Sequence, residues 1–215
     1  MIVKNSQQDI VIDEPDDVTK VGLRISGGAD SAIVGYMLSK YVHEHRPDIT
    51  IVPITVVHGE KPFQEIYSKR VIDFLQQQFG DIFYEHFVDI SPVGKQYVSK
   101  QEELTLRLFK ENKIHRTYSG ITKNPPKNVY EKFNGTGPDD DRDTDLQPTC
   151  SEYKRWPLKN IDKKGVKELY QNFGLLETLY PITRSCEAYE KDEAYDIDHH
   201  CGKCWWCQER SWGFE

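Results

Sequence analysis

The chain has 215 residues, 37% of them hydrophobic and 29% charged, and a formal net charge of −7. That length supports one substantial core with at most a small appended subdomain, and the acidic balance argues against broad binding to a nucleic-acid backbone, which needs a dense basic face. No stretch approaches the roughly 20 apolar residues of a membrane helix and no basic-then-apolar targeting pattern opens the sequence, so the expectation is a cytoplasmic protein acting on small molecules, in the host cytoplasm if the source is viral.

In chain order, Val21, Leu23 and Ile25 alternate as a strand does. The run stops at Ser26, Gly27, Gly28, Ala29, Asp30 and Ser31, and Ile33, Val34, Met37 and Leu38 follow at helical spacing, predicting a helix over 32–44. Paired glycines in a strand-to-helix turn leave backbone amides open to an anion at the positive end of the helix. Ser26 and Ser31 add hydroxyl donors, so the segment reads as a phosphate loop. It lacks the lysine of G-x-x-x-x-G-K-[ST] and the spacing of G-x-G-x-x-G. Asp30 cannot bind a phosphate directly at neutral pH; orienting the loop, binding Mg²⁺ and capping the helix are its open roles.

Residues 49–57 form a second apolar run, giving a βαβ unit and a parallel sheet. A turn at His58, Gly59 and Glu60 leads to a helix over 63–79, then a strand over 82–88, a helix over 95–112 and a strand over 114–121. The carboxyl ends of these strands gather Ser26 to Ser31, His58 to Glu60, and Gly120, where an open α/β sheet places its ligand. Residues 134–149 are rich in Asp, Gly and Pro and read as a long loop. Within it, Asp139, Asp140, Asp141, Asp143 and Asp145 are either a solvated acidic run or oxygen ligands for Mg²⁺. A helix follows through Val166, Leu169 and Tyr170. The expected organisation is a nucleotide domain over 1–180 and a metal-binding subdomain over 181–215.

Cys186, Cys201, Cys204 and Cys207 are spaced C-x14-C-x2-C-x2-C. Cysteines three apart can turn two thiolates toward one ion, and four thiolates suit a closed tetrahedral Zn²⁺ site. Disulfides are the competing pattern, but thiols stay reduced in the compartment expected here. His199 and His200 could replace one sulfur, and Cys150 stands apart. Trp205, Trp206 and Trp212 could stack a base or supply packing to a small subdomain.

The S-G-G-x-D-S loop at one end and the four cysteines at the other resemble the 7-cyano-7-deazaguanine (preQ0) synthases of the ATP-pyrophosphatase (PP-loop) superfamily. Ile54 to Lys69 looks like that family's second strand, turn and helix, and Trp156-Pro157-Leu158 with Asp162-Lys163-Lys164 like its Pro-Leu and Thr-Lys stretch. Thr183-Arg184-Ser185-Cys186, and Cys201-Gly202-Lys203-Cys204 through Cys207 and Arg210, are similar to its cysteine segments. Around Tyr118 to Pro126 the chain departs from the family's Val-Pro-Gly-Arg-Asn segment.

The resemblance implies an adenine nucleotide alpha hydrolase-like α/β fold, a parallel sheet flanked by helices with a small zinc-binding subdomain, using ATP, Mg²⁺ and Zn²⁺. It implies adenylation of 7-carboxy-7-deazaguanine and attack by ammonia, for deazaguanine modification of tRNA or DNA. Ser26, Gly27, Gly28, Ala29, Asp30, Ser31, His58, Gly59 and Gly120 would hold the nucleotide, Asp30, Lys163 and Lys164 would act in catalysis, and Arg24 and Arg184 are further cationic candidates. No membrane and no direct nucleic-acid contact is expected, and a homodimer is allowed. The alternatives are an amide-forming variant, a sulfur-transfer enzyme such as a phosphoadenosine-phosphosulfate reductase or tRNA thiolase, and a non-catalytic zinc or nucleotide-binding module.

Overall fold

The computed structural model describes residues 1–59, 61, 63–92, 97–134, 142, 148–188 and 196–215. Glu60 and the five aspartates of the 134–149 segment lie outside the described residues. A two-stranded hairpin, β1 (Ile2–Val3) and β2 (Ile10–Val11), precedes the sheet strand β3 (Lys20–Arg24), helix α1 (Ala29–His45), strand β4 (Thr50–His58) and helix α2 (Phe63–Phe79). There follow β5 (Phe87–Ser91), α3 (Tyr97–Lys110), β6 (Arg116–Tyr118), the single turn α4 (Lys127–Tyr130), β7 (Lys154–Arg155), α5 (Lys163–Asn172) and α6 (Trp205–Phe214).

The sheet is five-stranded with order β5-β4-β3-β6-β7, and its neighbours all pair parallel. A parallel strand needs cover on both faces, and it has it. Val21, Leu23, Ile25 and Ile51 join α1, α2 and α5 in the main core, while Val52, Ile54 and Val56 pack against Leu104 and Leu108 of α3. The result is a three-layer α/β sheet flanked by helices.

Three boundaries differ from the sequence pattern. The third strand is expected over 82–88, but the chain makes only a bridge from Phe83 to Ile51, leaves the sheet, and pairs again as β5 from Phe87, which lies opposite Ile54. Pro53 explains the gap. The amide of Ile51 donates to Ile82 O at 2.9 Å, so the odd-numbered amides of β4 face this side, and at Pro53 there is no N–H to give. Helix α1 starts at Ala29, with Gly28 at its N-cap. Asp30 is therefore inside the first turn and does not cap a helix beginning at 32. Strand β6 is shorter than 114–121 because Gly120 is already pressed onto α1, and β7, two polar residues, has no periodicity to betray it.

Candidate active site and metal centre

Strand β3 sends its connection to β4 on one side, while β6 lies on its other side, so the carboxyl ends of β3 and β6 diverge at a topological switch point. The Ser26 to Ser31 loop fills that point. Gly27 has φ +80°, a left-handed conformation, and a Cβ there would collide with Tyr67 of α2. A Cβ on Gly120 would stand 2.5 Å from the Asp30 carbonyl carbon and the Ser31 nitrogen. Both sites demand glycine, and both bring a neighbouring segment hard against the loop.

Each remaining loop residue has a defined tie. Ser31 Oγ donates to Gly28 O at 3.1 Å and receives the Ser26 amide at 3.3 Å. Tyr170 of α5 donates its hydroxyl to Ala29 O at 2.8 Å, and Thr55 of β4 donates to Ile25 O at 2.6 Å. The Arg184 amide donates to Gly27 O at 2.8 Å. Since no side chain caps α1, its first amides keep the partial positive charge that draws an anion.

A cleft of about 740 Å³ opens above the loop. Of the residues assigned to the nucleotide, Ser26, Gly28, Asp30, Ser31, His58 and Gly120 line it, whereas Gly27, Ala29 and Gly59 do not. Arg24 lines it too, its guanidinium held by Glu102 at 2.8 Å. Lys61, Gln64, Gln101, Glu187 and Trp206 are also part of the wall, with apolar side chains such as Ile54 and Val56. Trp206 is one of the tryptophans the sequence marks for stacking or packing; Lys61, Gln64, Gln101 and Glu187 do not stand out, because their nearness depends on turns that only the fold supplies. Gln64 Oε1 accepts from the His58 amide at 2.7 Å, and Lys61 pairs with Glu187 across the mouth.

Lys163 stands behind the loop. It is 4% exposed, forms an ion pair with Asp30, and lies 3.6 Å from Glu209 Oε2. The other oxygen of Asp30, Oδ1, is buried and accepts no hydrogen bond from a described residue. A hard divalent cation such as Mg²⁺ suits such an oxygen. Lys164, one residue on, is exposed and sits 4.9 Å above the Trp212 ring. Asp162 caps α5 by accepting from the amides of Lys164 and Gly165, which orients the two lysines apart. Arg184 is 3% exposed and lies 4.6 Å from the Phe63 ring centroid.

The sulfurs of Cys186, Cys201, Cys204 and Cys207 all lie within 4.8 Å of one another, so the four could hold a metal ion. A bond of about 2.3 Å to each corner of a tetrahedron sets sulfurs about 3.8 Å apart, and the Cys201 and Cys207 sulfurs are 3.8 Å apart. Amides of Cys201 and Cys204 point at sulfur, at 3.4 and 3.3 Å. Hydrogen bonds from Cys204 and Cys207 pull the Cys186 thiol far below its ordinary pKa, and the contact with Cys186 pushes Cys204 up to about 12. Metal binding would displace the shared protons.

Neither histidine joins the cluster. His200 accepts from the Ser185 amide at 3.1 Å, and burial, with Arg210 nearby, lowers its pKa to about 4. His199 is 2.7 Å from Asp196. Cys150 is exposed and apart. Trp205 is buried, while Trp206 reaches the cleft.

No protein-family model matches the chain, and no curated protein matches it. Among solved structures it is similar to the U34-tRNA thiolase NcsA from Methanococcus maripaludis with its [4Fe-4S] cluster, at 16% identity and a TM-score of 0.45. That match covers 73% of this chain, and the chain spans 57% of the thiolase. At such identity and score the likeness assigns neither a substrate nor a cluster. No described helix is long and apolar enough to cross a membrane.

Proposed function

We propose that the chain is an ATP pyrophosphatase of the PP-loop kind that joins ammonia to the carboxylate of 7-carboxy-7-deazaguanine to make 7-cyano-7-deazaguanine. One observation carries the reading: an uncapped helix end and a Ser-Gly-Gly-Ala-Asp-Ser loop sit at the switch point of a parallel sheet, open to a cleft large enough for a nucleotide and an acceptor. Carboxylate oxygen is a poor leaving group until AMP is attached. The carboxylate attacks the α-phosphorus of ATP and pyrophosphate departs; ammonia then adds to the acyl adenylate and AMP leaves, giving an amide that a second ATP-driven dehydration takes to the nitrile.

The chain's part is positioning and charge. The loop amides with Ser26 and Ser31 would meet the departing pyrophosphate as fixed donors. Mg²⁺, when bound, supplies neutralising charge, and Asp30 Oδ1 is the oxygen suited to hold it. Lys163 holds the other oxygen of Asp30 in an ion pair and so orients the carboxylate. Arg24 and Lys61 offer the cations of the cleft wall to a carboxylate, and Trp206 offers a flat apolar face to a ring.

The sulfur spacing supports one tetrahedral Zn²⁺. In a four-iron cluster each thiolate binds a different iron, which sets the sulfurs farther apart than they are around a single ion. Four thiolates also close the coordination sphere, leaving no open position for sulfur transfer.

The test is pyrophosphate release from ATP by zinc-loaded protein with ammonia and 7-carboxy-7-deazaguanine, followed by mass spectrometry of the base. Pyrophosphate and nitrile are expected. An amide as sole product would restrict the reaction to its first half, and no turnover with this acid would discard the acceptor.

A further inference from the structure

Two separate connections join the cysteine centre to the phosphate loop. The first runs from Cys186 through Arg184, whose amide holds Gly27 O at 2.8 Å. Its guanidinium donates to the carbonyls of Ile197 and His199, at 3.1 and 2.7 Å, and so grips the segment that leads into Cys201. Tyr67 closes the same circuit, with its side chain against Gly27 and its hydroxyl donating to Ile197 O at 3.1 Å.

The second connection runs from the other ligands. Cys204 is the N-cap of α6, Cys207 lies in its first turn, and Glu209 follows two residues later. Glu209 is 0% exposed. It pairs with Arg142, which is itself buried and bonded to Thr122 and Lys123, and it faces Lys163 at 3.6 Å. Lys163 in turn pairs with Asp30, and Gly213 of α6 packs against it. Cations and carboxylates alternate along this line, so a shift of α6 would leave a buried charge uncompensated.

We infer that occupancy of the metal centre and occupancy of the phosphate loop are thermodynamically coupled, with Arg184 and Glu209 as the positioning residues that join them. The inference rests on the loop being a phosphate site. With metal bound, Cys186 and Cys207 hold both connections in place and the loop is ordered before the anion arrives. Without it, the anion must order the loop itself and binds more weakly. The coupling is reciprocal: a phosphate ligand in the loop tightens metal binding by the factor by which metal tightens the phosphate ligand.

The experiment measures how zinc divides at equilibrium between the loaded protein and the chromogenic chelator 4-(2-pyridylazo)resorcinol, in excess Mg²⁺, with and without saturating pyrophosphate. Pyrophosphate should tighten zinc binding at least about fivefold. In the Ser26→Ala/Ser31→Ala double variant it should not. In Glu209→Gln the tightening should shrink to less than about twofold, and Glu209→Asp, which keeps the charge, should recover part of it. Bound pyrophosphate, shown by equilibrium dialysis, with an unchanged zinc affinity in the wild type would overturn the coupling, whether or not Glu209→Gln can be loaded. Tightening in Glu209→Gln equal to the wild type would remove Glu209 from it. No pyrophosphate bound to the loaded wild type would sink the phosphate-loop reading instead.

Discussion

The Ser26 to Ser31 loop and the cysteine centre are built in opposite ways. Strand β3, the loop and α1 are consecutive, so the chain's own connectivity puts Ser26, Gly28 and Ser31 in one turn with bonds between neighbours, to which Tyr170 and Arg184 add ties from outside. The cysteine centre draws its ligands from both sides of residues 189–195, and its supports from α2, α5 and the 134–149 segment through Arg142. A consecutive site takes its outline from its own residues and only its final order from outside contacts. A distributed one depends on buried partners, and damage to it should spread farther.

The largest expected effect comes from breaking the distributed site at its ligands. Cys207→Ser should lose stoichiometric metal and lower the thermal midpoint by roughly 10 °C, since binding energy at such a site is folding energy; metal analysis with calorimetry checks both. An unchanged midpoint in the metal-free variant would mean that the centre supports nothing else.

Next comes a contrast between adjacent lysines. Lys163→Met leaves the buried Glu209 and the half-buried Asp30 without their shared cation and should cost about 3 kcal/mol. Lys164→Met, on the exposed side over Trp212, should cost less than about 0.5 kcal/mol. Equal effects in urea unfolding would contradict the placement.

Gly120→Ala presses a methyl group into the start of α1 and should cost about 1–3 kcal/mol by overpacking. It should also weaken pyrophosphate binding in equilibrium dialysis, because the displaced segment is the loop itself. The smallest effect is one of pH. Burial lowers the pKa of His86 from 6.5 to about 4. Between those values the unfolded chain takes up a proton that the folded chain refuses, so this contribution is complete above about pH 6.5 and is lost as the pH falls toward 4. His86→Gln should flatten the midpoint against pH in that window. A slope equal to the wild type would assign the effect elsewhere.

The same contrast explains what could be read in advance. The alternation of Val21, Leu23 and Ile25, the paired glycines and the three spacings of the four cysteines are short-range patterns, and they mark the central strand, the loop and the cysteine cluster. Lys163 stood out as a candidate, but its partners Asp30 and Glu209 are 133 and 46 residues away in the chain, and no spacing announces them. Glu209 and Arg142 look like surface charges until the fold buries them. Pro53 was visible, yet its consequence for β5 required knowing which neighbour its missing amide faces.

The most direct test of the central claim is which bond of ATP breaks. Zinc-loaded protein is incubated with Mg-ATP, ammonia and 7-carboxy-7-deazaguanine, and the phosphorus products are followed by ³¹P NMR. The loop geometry predicts AMP and pyrophosphate in equal amounts, lost together in Asp30→Asn; ADP and inorganic phosphate would contradict it.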